Sequence, residues 1–229
     1  VVEAGTGVGK SFAYLGPAIQ WALQNRARVV VSTNTINLQE QLMQKDLPEL
    51  SDRLGLQVRS ALVKGRSNYV SLRRLGFAAT QGDLVQDERR QEILQLAEWA
   101  RKTADGSRSD LPFRVSPEIW EDVMSDGDDC MRAECPHFDE CFFYRSRRQA
   151  AAADIIIANH HLVMVDVALR KAFNDLQLMA ILPPFDRVVF DEAHHLEAVA
   201  TEYFSTDTSE LAIRRQLMKL SNPREQRGA

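Results

Sequence analysis

The sequence predicts an α/β fold: a parallel sheet doubly wound by helices and interrupted by a mostly helical insertion. Three observations predict it. Short β-branched apolar runs recur along the chain, helical patterns alternate with the early and late ones, and the middle of the chain breaks the rhythm. Apolar runs without in/out alternation suit parallel strands covered on both faces. Strands alternating with helices are the mark of the α/β class.

Taken in order, Val1 and Val2 read as the remnant of a first strand, and 11–24 as the helix that follows a glycine-rich loop. Residues 29–32 form the next strand, followed by a helix over 36–44 with Leu38 and Leu42 on one face. A weaker strand is expected at 57–63, and further buried strands at 155–158 and 188–190. From about Gly65 to Arg148 no buried strand is expected. That stretch predicts a charged helix over 86–102 with Ile93, Leu94 and Ala97 inward, then a Gly/Ser/Asp loop over 105–110. A short helix follows, with Ser116 as N-cap and Pro117 in its first turn. An acidic loop at 125–129 leads into the cysteines. Beyond Glu192 the pattern is helical, and Asp207 with Glu210 forms a capping box for a last helix.

The 229 residues suffice for one large domain, or one domain carrying a substantial insertion. With 45% hydrophobic and 26% charged residues the composition is that of a globular protein, not a disordered tail. A net charge of -4 excludes a generally basic nucleic-acid coat, so any such contact must come from local patches. No signal peptide is read, and the apolar stretch 162–169 is too short and too interrupted by Asp166 to span a membrane. The three cysteines all lie between 130 and 141, a poor disulfide framework and a good metal-site cluster in a reducing compartment, by default the cytoplasm. With only Val1 and Val2 ahead of Glu3 and a helical pattern still running at Ala229, the chain reads as a fragment cut at both ends.

Two motifs carry the chemistry. Ala4-Gly5-Thr6-Gly7-Val8-Gly9-Lys10-Ser11 fits a phosphate-binding loop with Ala4 in place of the first glycine. The glycines let the backbone N–H groups curl around one anion, and the helix beginning near Lys10 aims its positive dipole end at the same point. Lys10 is suited to the β- and γ-phosphates of ATP, and the Ser11 hydroxyl to Mg²⁺. The second motif, Val188-Val189-Phe190-Asp191-Glu192-Ala193-His194, is an apolar strand ending in two acids. At the C-terminal edge of a parallel sheet that end faces the ligand crevice. Asp191 is then the Mg²⁺ ligand, Glu192 orients and deprotonates the attacking water, and His194 and His195 sense the nucleotide state or a neighbouring domain.

These residues resemble a known family. The stretches from Glu3 to Ser11 and from Ser32 to Leu42, with Asp191-Glu192-Ala193-His194, look like motifs I, Ia and II of superfamily 2 DEAH-type helicases. Lys64-Gly65-Arg66-Ser67-Asn68-Tyr69 and Ala158-Asn159-His160-His161-Leu162 narrow the resemblance to the DinG/XPD-like group. It implies a RecA-like P-loop NTPase motor domain carrying an iron–sulfur insertion, and ATP-driven 5′ to 3′ unwinding of DNA, in repair or replication. The partners implied are single-stranded and forked DNA, with a second RecA-like domain supplying arginine fingers. The expected divisions are 1–64 and 151–200 as the motor domain, 65–150 as the insertion, and 201–229 as the start of a second, arch-like helical insertion. Thr33, Thr35 and Asn37 would lie along the sugar–phosphate backbone of the tracked strand, a role suited to short hydroxyl and amide groups at a strand-to-helix turn. At least one of them would also cap the following helix.

Cys130-x4-Cys135-x5-Cys141 places three soft ligands close together. In the family a fourth cysteine follows the Lys-Gly-Arg-Ser-Asn-Tyr segment, and here that position is Ser71. A 4Fe–4S cluster with Ser71 or an outside ligand on its fourth iron, a three-iron cluster, zinc with His137, or no metal all remain open, and an iron–sulfur cluster is favoured. Its expected task is to tie an insertion too small and polar to hold its own core. Arg66, Arg73 and Arg74, and then Arg145, Arg147 and Arg148, flank the cluster as candidate phosphate grips, with Arg66, Arg147 and Arg148 the principal ones. Tyr69, Phe142, Phe143 and Tyr144 read as packing residues. A P-loop ATPase unrelated to nucleic acid would leave the stretch from Ser32 to Leu42 and the cysteines unexplained. A metal-containing DNA-binding module with a vestigial motor sits poorly with an intact Lys10, Ser11, Asp191 and Glu192.

Overall fold

The computed structural model describes residues 1–3, 9–80 and 87–204. Its centre is a four-stranded sheet built from β1 (Val29–Thr33), β2 (Ser60–Leu62), β3 (Ile155–Asn159) and β4 (Arg187–Phe190), in the order β2-β3-β1-β4. Every pairing is parallel, with Val30 level with Ile156 and with Val188. The apolar runs of β1 and β3 are explained by two separate cores. Val29, Val31, Ile155 and Ile157 face a cluster with Leu15, Ile19 and Leu47. Val30, Ile156 and Ala158 face the opposite cluster with Ala150, Val163 and Leu182. With both faces covered, every second residue is as buried as its neighbours, and the polar alternation of a one-sided sheet disappears.

Two strand expectations need correction. Val1 and Val2 form no strand and are exposed, because two residues alone make no ladder with the described sheet. β4 is not buried along its length: Arg187 and Val188 are exposed at the edge of the sheet.

Helix α1 (Lys10–Asn25) lays Leu15, Ile19 and Ala22 onto the first core. The helix expected over 36–44 is α2 (Ile36–Gln41), which runs through a wider π-type turn (Leu42–Asp46) into α3 (Leu47–Leu54). Pro48, near the start of α3, has no N–H to donate one turn back, and the wider turn ahead of it accommodates that loss.

Between β2 and β3 the chain forms α4 (Leu72–Thr80), α5 (Asp87–Lys102), α6 (Pro117–Val123) and α7 (Phe142–Ala152). This segment is not too polar for a core of its own. Tyr69, Leu75, Ile93, Leu96, Trp99 and Trp120 pack with Phe142 in one buried cluster. Within α5 the inward stripe is Ile93, Leu96, Ala97 and Ala100, a 3.6-residue repeat that leaves Leu94 on the solvent side, 52% exposed. Ser116 stands at the N-cap of α6, but its side chain makes no capping bond, and its backbone N–H donates to Glu92 Oε2 at 3.0 Å. Gly106 takes a positive φ of 68° and lets the Phe142 ring lie directly against the backbone.

Lys64 ties this segment to the sheet. Its buried ammonium donates to Ser109 Oγ (2.7 Å) and Ser107 Oγ (2.8 Å), and faces Asp105 (3.2 Å) and Glu40 of α2 (3.4 Å). A second buried cation holds the return to β4. On α8 (His160–Phe173), Arg170 pairs with Asp166 at 2.6 Å and donates to the carbonyls of Leu176, Leu182 and Pro183. The last described helix is α9 (Leu196–Phe204), so Asp207, Glu210 and most of the expected second helical insertion lie outside the described residues. Among the described residues no helix is long and apolar enough to cross a membrane.

Candidate active site

Because all strands run parallel, β1, β3 and β4 deliver their C-terminal residues to one edge of the sheet. There Thr33 pairs with Asn159, and Ser32 with Phe190. The Asp191 N–H donates to the Ser32 carbonyl at 2.8 Å, continuing the ladder one residue beyond β4. Glu192 then takes a left-handed φ of 52° and turns the chain sharply toward 193–195. That conformation is uncommon and strained for a residue with a Cβ, and such positions concentrate at functional sites.

Helix α1 begins at the same edge. Gly9, with φ of 77°, stands at its N-cap, and Lys10 and Ser11 form its first turn. Gly5, Thr6, Gly7 and Val8 lie outside the described residues. Lys10 Nζ lies 3.1 Å from Glu192 Oε1, with both side chains about one-third exposed (31% and 29%). That bond holds the Glu192 carboxyl below the usual carboxylate range. The phenol of Tyr14 donates to Asp191 Oδ2 at 3.1 Å, and the Glu192 N–H donates to Asp191 Oδ1 at 3.0 Å. Burial first, and then the Asp191 charge, push the Tyr14 phenol upward, so it remains a protonated donor. Ser11 is half-buried on the same turn as Lys10. His194 lies 3.5 Å from Glu192 Oε2, and both His194 and His195 are exposed.

The expected strand-tracking residues separate by burial. Thr33 is fully buried and its hydroxyl has no hydrogen-bond partner. Thr35 and Asn37 are exposed, and Thr35 Oγ1 caps α2 by accepting from the Leu38 N–H at 3.3 Å. Behind them, His160 Nδ1 lies 2.7 Å from Ser32 Oγ, fully buried, and burial lowers the imidazole below its ordinary range. Asn159 caps α8 through the Leu162 N–H at 2.7 Å. Tyr14, Ser32 and His160 escaped the sequence reading as site residues. For Tyr14 the available signal was its spacing, four residues after Lys10 on the same helix face.

The cysteines stand apart from this edge. Cys130, Cys135 and Cys141 are unpaired thiols, and with Ser71, Arg73, Arg74 and Tyr144 they line one cavity. Burial works to raise the Cys130 thiol, but hydrogen bonding from the Arg132 N–H, Tyr144 and Arg66 outweighs it and the net shift is downward. Among the described residues, no three His, Cys, Asp or Glu side chains converge to hold a single metal ion. His137 is not among the residues that line this cavity.

Arg66, Arg147 and Arg148 line one open cleft together with Phe138, Phe143 and Tyr144. Arg66 stacks on Phe143 at 3.8 Å, and Arg147 lies 4.6 Å from the same ring and donates to the Lys64 carbonyl. Burial lowers the Arg147 guanidinium to about 10. Arg148 donates to the Asp139 carbonyl at 2.7 Å, and Arg73, Arg74 and Arg145, outside this cleft, also donate to backbone carbonyls, those of Asp129, Glu121, Asp122 and Ala104. Tyr69, Phe142 and Phe143 are buried, as expected of packing residues, while Tyr144 is only partly covered and faces the cleft.

Comparison with known proteins finds helicase relatives along most of the chain. The family profile described as DEAD/DEAH box helicase matches residues 1–99, and the DEAD_2 profile matches 115–213. The chain is 37% identical over 223 residues to the ATP-dependent DNA helicase YoaA of Escherichia coli K12, covering 96% of this chain and 33% of that protein. It is 38% identical over 247 residues to the ATP-dependent helicase DinG of Mycobacterium tuberculosis, covering 98% of this chain and 36% of that protein. Against the ATP-dependent DNA helicase DinG of Photobacterium profundum it is 35% identical over 221 residues, 91% of this chain and 31% of that protein. The chain spans about a third of the length of these relatives.

Proposed function

Because this chain is a homologue of DinG/YoaA-type ATP-dependent helicases over most of its length, we propose that it is the ATP-binding motor portion of a DNA helicase. The observation that carries the reading is the meeting of α1 with the end of β4. Lys10 lies within 3.1 Å of Glu192, and Tyr14 within 3.1 Å of Asp191. A DEAD/DEAH-box domain works with ATP and Mg²⁺, and this corner offers a cation for phosphate, a carboxylate and a hydroxyl for Mg²⁺, and a second carboxylate for water.

The ion pair supplies a gate. While Lys10 is bonded to Glu192, the carboxylate is a weak base. Incoming phosphates compete for Lys10 and draw it away, and Glu192 regains the basicity to orient and deprotonate a water molecule. Asp191 and Ser11 would hold the Mg²⁺, which neutralises charge on the β- and γ-phosphates. Turnover further requires a second RecA-like domain closing over the nucleotide with its arginines.

For the nucleic acid, Thr35 and Asn37 at the exposed turn after β1 suit contact with a sugar–phosphate backbone, whereas Thr33 is buried away from it. Arg66, Arg147 and Arg148, with Phe138 and Tyr144, suit a single strand near a fork: cations for phosphate beside aromatic faces. By the family resemblance the movement is 5′ to 3′ and the setting repair or replication. The motor is divided between 1–64 and 151–200, 65–150 is the insertion, and a second insertion begins at 201.

Cys130, Cys135 and Cys141 line one cavity with Ser71, which supports an iron–sulfur cluster that the three thiolates would hold, with Ser71 or an outside ligand completing the set. Three soft thiolate donors close together in sequence are the ligand type that iron–sulfur clusters take. Unpaired thiols also suit a reducing, cytoplasmic setting.

The test is ATP hydrolysis by the full-length protein with and without single-stranded DNA, beside a Lys10→Ala control. DNA-stimulated turnover that Lys10→Ala reduces at least tenfold is expected. Turnover indifferent to DNA would favour a P-loop ATPase of another kind, and turnover surviving Lys10→Ala would refute the assigned site. Iron and sulfide analysis after anaerobic purification tests the cluster, and protein free of both elements would refute it.

A further inference from the structure

We propose that Tyr14 is the positioning residue for the Mg²⁺-binding carboxylate, fixing Asp191 against the helix that carries the phosphate-binding lysine. The inference rests on the reading of Lys10 and Asp191 given above and assigns a role that neither motif contains.

Both Asp191 oxygens are held. Oδ1 accepts from the Glu192 N–H at 3.0 Å, and Oδ2 accepts from the Tyr14 phenol at 3.1 Å. Each oxygen keeps a free lone pair, but the plane of the carboxylate is set. The backbone bond fixes one oxygen from within the same turn. Among the described residues, the phenol is what refers the other oxygen to a different element, α1. Lys10 and Tyr14 lie four residues apart on that helix, and therefore on one face.

Among the described residues, side-chain bonds join α1 to the acidic pair at two points: Lys10 to Glu192 and Tyr14 to Asp191. The first must break when Lys10 turns to phosphate. The second involves no group that phosphate needs, so it can persist through the cycle. Tyr14 then holds the carboxylate at one distance from Lys10 and Ser11 when the Lys10–Glu192 bond is gone. Its ring is anchored for this by packing against the core of Leu15, Ile19 and Leu47. A phenylalanine would keep that packing and lose only the hydrogen bond.

The experiment is a Mg²⁺ titration of fluorescent (mant) ADP binding to the full-length protein, wild type against Tyr14→Phe, with binding in EDTA as reference. The variant should need roughly tenfold more Mg²⁺ for half-saturation, at the lower end of what loss of a hydrogen bond to a metal ligand costs. Its Mg²⁺-free nucleotide affinity should stay within about twofold, and its thermal midpoint should be unchanged, because no phosphate contact and no packing is removed. An unchanged Mg²⁺ requirement in the variant would overturn the proposal. So would a parallel loss of Mg²⁺-free affinity, a fall in thermal midpoint or a failure to fold, each of which would mark the phenol as a general structural element. Wild-type binding that does not respond to Mg²⁺ at all would instead overturn the underlying reading of Asp191.

Discussion

Replacing Asp166 by asparagine removes one charge from a site closed to solvent, and the structure allows the cost to be worked. Asp166 is fully buried and Arg170 is 4% exposed. Asp166 Oδ1 accepts from the Ile181 and Leu182 N–H groups at 2.9 and 2.8 Å, and Oδ2 accepts from Arg170 Nε at 2.6 Å. Asparagine can keep its oxygen on the two backbone donors, but its amide nitrogen then faces another donor. One charge-assisted hydrogen bond is lost, worth about 1.5–3 kcal/mol. The guanidinium left buried without its counter-charge brings the expected loss to about 3–5 kcal/mol. Against a domain stability of about 5–15 kcal/mol that is a large fraction. Urea unfolding followed by circular dichroism should show the midpoint falling by about 2 M, for a slope of about 2 kcal/mol/M. The double variant Asp166→Leu with Arg170→Met, which leaves no charge behind, should be less destabilised than the sum of its single variants. A loss below about 1 kcal/mol for Asp166→Asn, or strictly additive double-variant energies, would refute the account of the pair.

Other perturbations follow from the same physics. Gly106→Ala combines a φ of 68° with a Cβ built 2.1 Å from the Phe142 ring, so calorimetry should show about 2–4 kcal/mol of destabilisation, from overpacking and backbone strain together. His160 has its imidazole lowered by burial, so below the unfolded value of about 6.5 the unfolded chain binds the proton more readily. Stability should therefore fall as pH drops below about 6.5, by at most about 1.4 kcal/mol per pH unit from this group, and His160→Asn should flatten that slope in urea midpoints measured from about pH 5.5 to 7.5.

The parts legible in sequence were those whose chemistry is local. Lys10-Ser11 at the start of a helix, and two acids at the end of an apolar strand, could be placed at one sheet edge because the local pattern fixes where each helix or strand begins and ends. β1 and β3 were legible because burial on both faces makes the run continuously apolar. The core of the 63–154 segment was not, since Tyr69, Trp99, Trp120 and Phe142 are spread along that length among charged residues and meet only on folding. Leu94 was misplaced for a smaller reason: it adjoins the buried stripe in sequence but lies about 100° around the helix from Ile93.

By itself the sequence indicated the α/β class, placed β1, β3 and α1, nominated residues for phosphate and Mg²⁺, and showed three cysteines clustered within twelve positions. Only the tertiary structure decided which groups answer one another. Tyr14 meets Asp191 and Lys10 meets Glu192 across some 180 residues, Lys64 is buried among four partners, and Thr33 is withdrawn where Thr35 stays exposed. Periodicity and motif are short-range properties of a chain, while hydrogen-bond partners and burial are set where distant segments close on each other.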